Sequence, residues 1–132
     1  DLVKPNEAEL AQLVGRRPGT IKDTARAALD LCGRGVKEVA VTLGAAGALV
    51  AADGQVVHGS LDAVPAISAV GSGDAFAAAL AAAWVRGESI DQAVRRGIAC
   101  GAASALRLGP AFVSLDEVDA LARSVKIRTA RP

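Results

Sequence analysis

Apolar positions along the chain change period several times, and each change marks an element. Residues 6–13 carry apolar side chains at helical spacing. Asn6 is placed to cap that helix, Glu9 sits at the third helical position as in a capping box, and Gly15 lies past the end. Pro18, Gly19 and Thr20 open a second helix with Ile21, Ala25, Ala28, Leu29 and Cys32 on one face and Gly33 as its stop. The stretch VKEVAVT, residues 36–42, is β-rich and follows a helix, which predicts a buried parallel strand. Residues 47–51 and 55–59 flank an Asp53-Gly54 turn and predict a hairpin, with His58 facing solvent. Residues 60–69 read as loop, with a short extended piece around Val64.

The second half reads as helical. Residues 74–86 are almost free of charge until their end, so a helix buried nearly all round is predicted, with Trp84 in the core. Ser89 and Gln92 form another capping pair, opening a helix to about Leu108 that stops at Gly109-Pro110. Ser114 and Glu117 repeat the signature for a last amphipathic helix reaching 121–125, and the polar tail 126–132 is expected to fray. Strands alternating with helices argue for an α/β layered fold.

Bulk properties narrow the class. A chain of 132 residues fits one domain, and 52% hydrophobic with 22% charged residues is globular composition. The net charge of +1 with scattered basic residues argues against a nucleic-acid partner. The longest apolar run, 75–85, is too short and alanine-rich to span a bilayer, and no signal peptide is visible, so a cytoplasmic protein is expected. Cys32 and Cys100 lack metal-ligand spacing and read as reduced, structural thiols. There is no Met, and Asp1-Leu2-Val3-Lys4-Pro5 reads as the end of a strand running into a loop, so the chain is expected to be a fragment whose first half is missing.

Three stretches carry candidate chemistry. In VGSGDAFAAAL, residues 70–80, Gly71 and Gly73 let backbone amides approach a ligand, and the following helix adds its positive end, together an anion site. Asp74 in that first turn either caps the helix or accepts a proton from a hydroxyl that attacks a held phosphoryl group. The turn VTLGAAG, residues 41–47, follows a strand where α/β sheets place ligands, but glycines needed for turn geometry explain it as well. It is not a G-x-G-x-x-G fingerprint, and no P-loop motif occurs. In KPNEAE, residues 4–9, Asn6 and Glu9 either form only the capping box or also hold the hydration shell of Mg²⁺, with Lys4 a point charge for a phosphate. On this stretch alone capping leads.

Taken together and in this order, KPNEAEL, VTLGAAGAL and VGSGDAFAAAL resemble the C-terminal half of the ribokinase-like (PfkB) carbohydrate kinases. KPN and VGSGD are closest to the 1-phosphofructokinase and tagatose-6-phosphate kinase branch. The resemblance runs from Leu2 to about Val125. It implies the C-terminal portion of a ribokinase-like α/β/α fold, without the lid and the N-terminal half, and ATP-dependent phosphoryl transfer to a sugar or sugar phosphate. It implies Asp74 as base, and the backbone of Gly71, Ser72 and Gly73 as the anion hole. Asn6 and Glu9 match the element supporting Mg²⁺, and Thr42, Gly44 and Gly47 the nucleotide-phosphate turn. The helix 98–106, carrying Cys100, would wall the adenine. The missing half of the same protein would bring the sugar pocket, so this chain alone is expected to be inactive; a homodimer is implied for the intact protein.

Two departures stand out. Relatives that use a monovalent cation often carry Asp where this chain has Ser68, and several place Asn where it has Cys100, read here as a small packing residue. The competing readings are a non-catalytic nucleotide-binding or interaction module, opposed by the intact Gly-Ser-Gly-Asp, and a dinucleotide domain, opposed by the missing glycine fingerprint.

Overall fold

A computed structural model describes residues 1–62, 71–106 and 113–132. The elements are β1 (Leu2–Val3), α1 (Glu7–Val14), α2 (Ile21–Gly33), β2 (Glu38–Thr42), a 3₁₀ turn (Gly44–Ala46), β3 (Ala48–Ala52), β4 (Gln55–Ser60), α3 (Ser72–Val85), α4 (Ile90–Ala105), α5 (Leu115–Ser124) and β5 (Lys126–Thr129). The strands lie in one sheet in the order β1-β2-β3-β4-β5. Two compact units divide the chain, residues 1–58 with 128–132 and residues 59–127. The expected extended piece near Val64, the helix stop at Gly109-Pro110 and Ser68 lie outside the described residues.

In the first unit, α1 starts on a reciprocal capping box. Asn6 Oδ1 accepts from the Glu9 amide at 2.9 Å, and Glu9 Oε2 accepts from the Asn6 amide at 2.8 Å. Thr20 caps α2 by accepting from the Asp23 amide at 3.1 Å and donates to the Asp23 carboxylate at 2.8 Å, which holds that carboxyl below its usual range. β2 runs parallel to β1 and antiparallel to β3. Its alternation sends Val39 and Val41 into a core with Leu10, Ala25, Ala28, Leu31, Leu49, Ala51 and Val56. Burying each larger aliphatic side chain there is worth about 1.5–3 kcal/mol. Ala40, Ala48 and Val50 are buried too, so both faces of β2 and β3 are covered, as their apolar runs predict. The hairpin turns through Asp53 (φ 50°) and Gly54 (φ 74°), the left-handed pair that a two-residue loop favours.

The second unit rests on α4. Gly97 lets the Phe76 ring of α3 lie against the α4 backbone, and Ala99 and Ala103 meet Val118 of α5 with Cys100, Val113, Leu121 and Ala122 around them. Arg95 donates to the carbonyls of Ala122, at 3.4 Å, and of Val125, so a cation closes the C-terminal end of α5. Glu88 accepts ion pairs from Arg96 at 3.3 Å and Arg86 at 3.8 Å.

Three expectations are corrected. The third helix begins at Ser72 and buries one face, Phe76, Ala79, Leu80 and Ala83, while Ala78 and Ala81 are exposed and Val85 is 89% exposed. Alanine gives no periodic contrast, and an exposed methyl costs little, so composition overstated the burial. Ser60 ends β4 instead of opening a loop. The tail is not frayed: residues 126–129 form β5, and the Ala130 amide donates to the Val56 carbonyl at 2.9 Å. A polar edge strand keeps its place through backbone bonds that a hydropathy pattern does not report. Trp84 is half-buried.

Two stability tests follow from this packing. A Cβ at Gly59 would stand 2.6 Å from Val94 Cγ1 and 2.5 Å from Ile98 Cδ1, so a β-branched neighbour must move. Gly59→Ala should destabilise by about 1–3 kcal/mol in denaturant melts; unchanged melting would show that α4 yields freely. Burial pushes the Glu38 carboxyl up, the amino terminus opposing and Asp53 adding to it, and its Oε2 has no hydrogen-bond partner among the described residues. A raised carboxyl contributes stability while protonated and loses it as pH climbs through and above the usual carboxylate range. Glu38→Gln should therefore melt higher than the parent at pH 7, with the gap closing at pH 4. A gap that widened on acidification would reverse the sign.

Candidate functional site

Chain path alone builds half of the site in the first unit. β1 leads through half-buried Lys4 and buried Pro5 to Asn6, and β2 ends at Thr42. The Thr42 amide donates to the Pro5 carbonyl at 3.1 Å, and Asn6 and Thr42 form a parallel bridge. Two stretches distant in sequence thus meet at the carboxyl ends of two parallel strands, the edge where α/β sheets place ligands. Beyond Thr42 the chain closes a tight turn: the Leu43 amide donates to Gly47 O at 2.9 Å, Ala46 to Leu43 O at 3.1 Å and Gly47 to Gly44 O at 3.1 Å.

His58 belongs to this cluster. Expected to face solvent, it is half-buried, with ring Nε2 2.8 Å from the Ala46 carbonyl. The hairpin contained the clue, because a two-residue loop returns β4 along β3 toward the turn that precedes it.

Asn6 and Glu9 are exposed, and each spends one oxygen on capping. Glu9 Oε1 takes no part in the cap. One hard carboxylate oxygen in open surroundings fits Mg²⁺ held largely through its own waters. Among the described residues no three His, Cys, Asp or Glu side chains converge to ligate a metal directly.

In the second unit, Gly71 stands at φ 81°, ψ −6° as the residue before α3, and among the described residues no side-chain cap closes that helix. A left-handed backbone here favours glycine. The first intrahelical bond is from the Ala75 amide to Gly71 O at 2.9 Å, so the amides of Gly73 and Asp74 precede the hydrogen-bond ladder. Asp74 is the third helical residue and is exposed. The capping alternative for Asp74 is thereby corrected, since the capping position is occupied by Gly71. α4 braces this end: a Cβ on Gly101 would lie 3.1 Å from Ser72 O, and one on Gly71 would lie 3.9 Å from the hydroxyl of buried Ser104. Cys100, one position before Gly101, is half-buried, and burial pushes its thiol up, Arg96 opposing and Asp119 adding to the effect. Cys32 behaves alike: burial pushes its thiol up, and its Sγ lies 3.7 Å from Ala51 O. Both cysteines are free.

Of the residues singled out in the sequence, Lys4, Asn6, Glu9, Thr42, Gly44 and Gly47 belong to the first unit, and Gly71, Ser72, Gly73, Asp74 and Cys100 to the second.

Residues 1–117 match the family described as pfkB family carbohydrate kinase. The chain belongs to this family. Among its relatives, the 1-phosphofructokinase of Rhodobacter capsulatus is 36% identical over 132 residues, covering 100% of this chain and 42% of the relative. The ATP-dependent 6-phosphofructokinase isozyme 2 of Escherichia coli K12 is 34% identical over 118 residues, 89% of this chain and 38% of that protein. The crystal structure of phosphofructokinase-2 from Escherichia coli in complex with substrates and products superposes at a TM-score of 0.87, with 32% identity over 93% of this chain and 40% of that one. The chain therefore has the ribokinase-like α/β fold of the pfkB kinases and spans 42% or less of these relatives' lengths.

What Asn6 and Glu9 each contribute to the cap separates by substitution. Asn6→Ala removes the cap and should cost about 0.5–2 kcal/mol in thermal melting. Glu9→Gln keeps an oxygen to accept from the Asn6 amide, so its melting should stay within about 0.5 kcal/mol of the parent. A larger loss for Glu9→Gln would show that its charge, not its geometry, holds the helix start.

Proposed function

We propose that this chain is the nucleotide-binding and catalytic-base portion of an ATP-dependent kinase that phosphorylates a sugar phosphate, of the phosphofructokinase or tagatose-6-phosphate kinase kind, in the cytoplasm. One observation carries the reading. α1, α2, α4 and α5 each begin with a side chain, from Asn6, Thr20, Ser89 or Ser114, accepting the amide of the third helical residue. α3 begins with left-handed Gly71, no capping side chain, and an exposed acid three residues on. A helix start whose capping residue offers no side-chain acceptor leaves its positive end suited to an anion, and a carboxylate beside it suits the proton of an attacking hydroxyl. Membership of the pfkB family supports the same assignment.

In the proposed reaction Asp74 accepts the proton of the acceptor hydroxyl as its oxygen bonds to the γ-phosphorus of ATP and the bond to the β-phosphate oxygen breaks. Backbone amides of Gly71, Ser72 and Gly73 stabilise the charge on the transferring group. Thr42, Gly44 and Gly47 meet the nucleotide phosphates with Lys4 as a point charge, and α4 around Cys100 walls the adenine. Asn6 and Glu9 hold Mg²⁺ through water; the ion, when bound, neutralises phosphate charge. The acceptor sugar is bound by sequence outside these residues. The cytoplasmic setting is supported by two free thiols and by the lack, among the described residues, of any helix long and apolar enough to cross a membrane.

Asp74→Asn in the full-length protein tests this assignment. Loss of a positioned base should lower turnover by about 10²–10⁴. The Michaelis constant for ATP should hold, and melting should shift little because Asp74 does not cap α3. Near-normal turnover would remove Asp74 from the mechanism.

A further inference from the structure

The Ala46–Gly47 peptide is held from both sides. Its N–H donates to Gly44 O at 3.1 Å, and its carbonyl lies 2.8 Å from His58 Nε2 on β4. A carbonyl only accepts, so Nε2 carries the hydrogen. The turn bonds leave the Ala46 carbonyl untouched: their acceptors are the carbonyls of Leu43, Gly44 and Gly47. Gly47, at φ 92°, forms one side of the peptide, and a glycine resists rotation of a peptide plane less than any other residue. With the carbonyl bonded to a ring on a paired strand, rotation breaks two bonds instead of one.

We propose that His58 is a positioning residue that locks the Ala46–Gly47 peptide and so holds the turn of residues 43–47 in the shape that meets the nucleotide phosphates; this rests on the proposed role of that turn. The side chain makes no contact with substrate in this scheme. Nothing in the sequence motif of the turn includes it. It acts from the next hairpin strand, through one hydrogen bond.

Two variants of the full-length protein test the lock. His58→Phe keeps a ring and removes the donor; His58→Gln restores an N–H near the position of Nε2. With ATP varied at saturating sugar phosphate, His58→Phe should raise the Michaelis constant for ATP about two- to tenfold, the loss of one hydrogen bond. Turnover and the Michaelis constant for the sugar phosphate should stay put, and His58→Gln should recover most of the ATP effect. Amide hydrogen exchange at Gly47 should speed up in His58→Phe and return in His58→Gln. An active parent whose ATP constant is unmoved in His58→Phe, or moved equally in both variants, would overturn the lock while leaving the kinase reading intact. A parent inactive toward fructose 1-phosphate, fructose 6-phosphate and tagatose 6-phosphate would overturn the kinase reading and the nucleotide role with it. Unchanged exchange at Gly47 would then overturn the lock as well.

Discussion

The hydrogen bond from the Thr42 amide to the Pro5 carbonyl is the constraint on which the first unit's site depends. It extends the β1–β2 parallel pairing past the end of β1 and sets the start of α1 beside the end of β2. Proline has no amide to offer, so its carbonyl is the only backbone group that can make this bond, and the fixed φ turns the chain out of the sheet toward the Asn6 cap. The capping box then fixes the direction in which α1 leaves, which keeps Asn6 and Glu9 at the strand ends. Every candidate ligand group in this unit inherits its position from that junction.

Close approach plays the same part in the second unit. Gly97 and Gly101 lie four residues apart on one side of α4 and bring its backbone against Phe76 and the Ser72 carbonyl. A Cβ at Gly101 would lie 3.1 Å from Ser72 O, close enough that the Ser72 carbonyl would have to give way slightly, so the first turn of α3 packs directly against the α4 backbone. Asp74 is exposed while Gly71, Ser72, Gly73 and Ala75 around it are half-buried, so the acid projects from a packed turn.

Much of this was legible in the sequence because helix starts are written in side-chain oxygens. Asn6 with Glu9, Ser89 with Gln92 and Ser114 before Glu117 each mark a start within one residue of the observed one, and Asp53-Gly54 marks the hairpin. The pattern of KPNEAEL, VTLGAAGAL and VGSGDAFAAAL made the family legible as well. What escaped shares a cause: it is made by partners distant in the chain. β5 is held through backbone bonds such as that between Ala130 and Val56, which no side-chain pattern reports. His58 acquires its partner only when β4 folds back, and the one-sided burial of α3 is hard to read where alanine fills residues 75–83 apart from Phe76 and Leu80.

The exceptional start of α3 carries an energetic argument of its own. A side-chain cap is worth about 1 kcal/mol, and four helices of this chain take it with residues in extended conformations. At position 71 a left-handed φ of 81° forgoes that gain. An acid at the third helical position returns only about 0.3–1 kcal/mol through the helix dipole when exposed. Moving the acid back to the capping position would stabilise the helix more, yet would put its oxygen over the amides and close them to any other acceptor. A glycine at the capping position with the carboxylate three residues on sacrifices that stability, and on the proposed reading it leaves the helix start open to an anion with a proton acceptor beside it. That trade is intelligible at a site of phosphoryl transfer, and capping alone gives no reason for it.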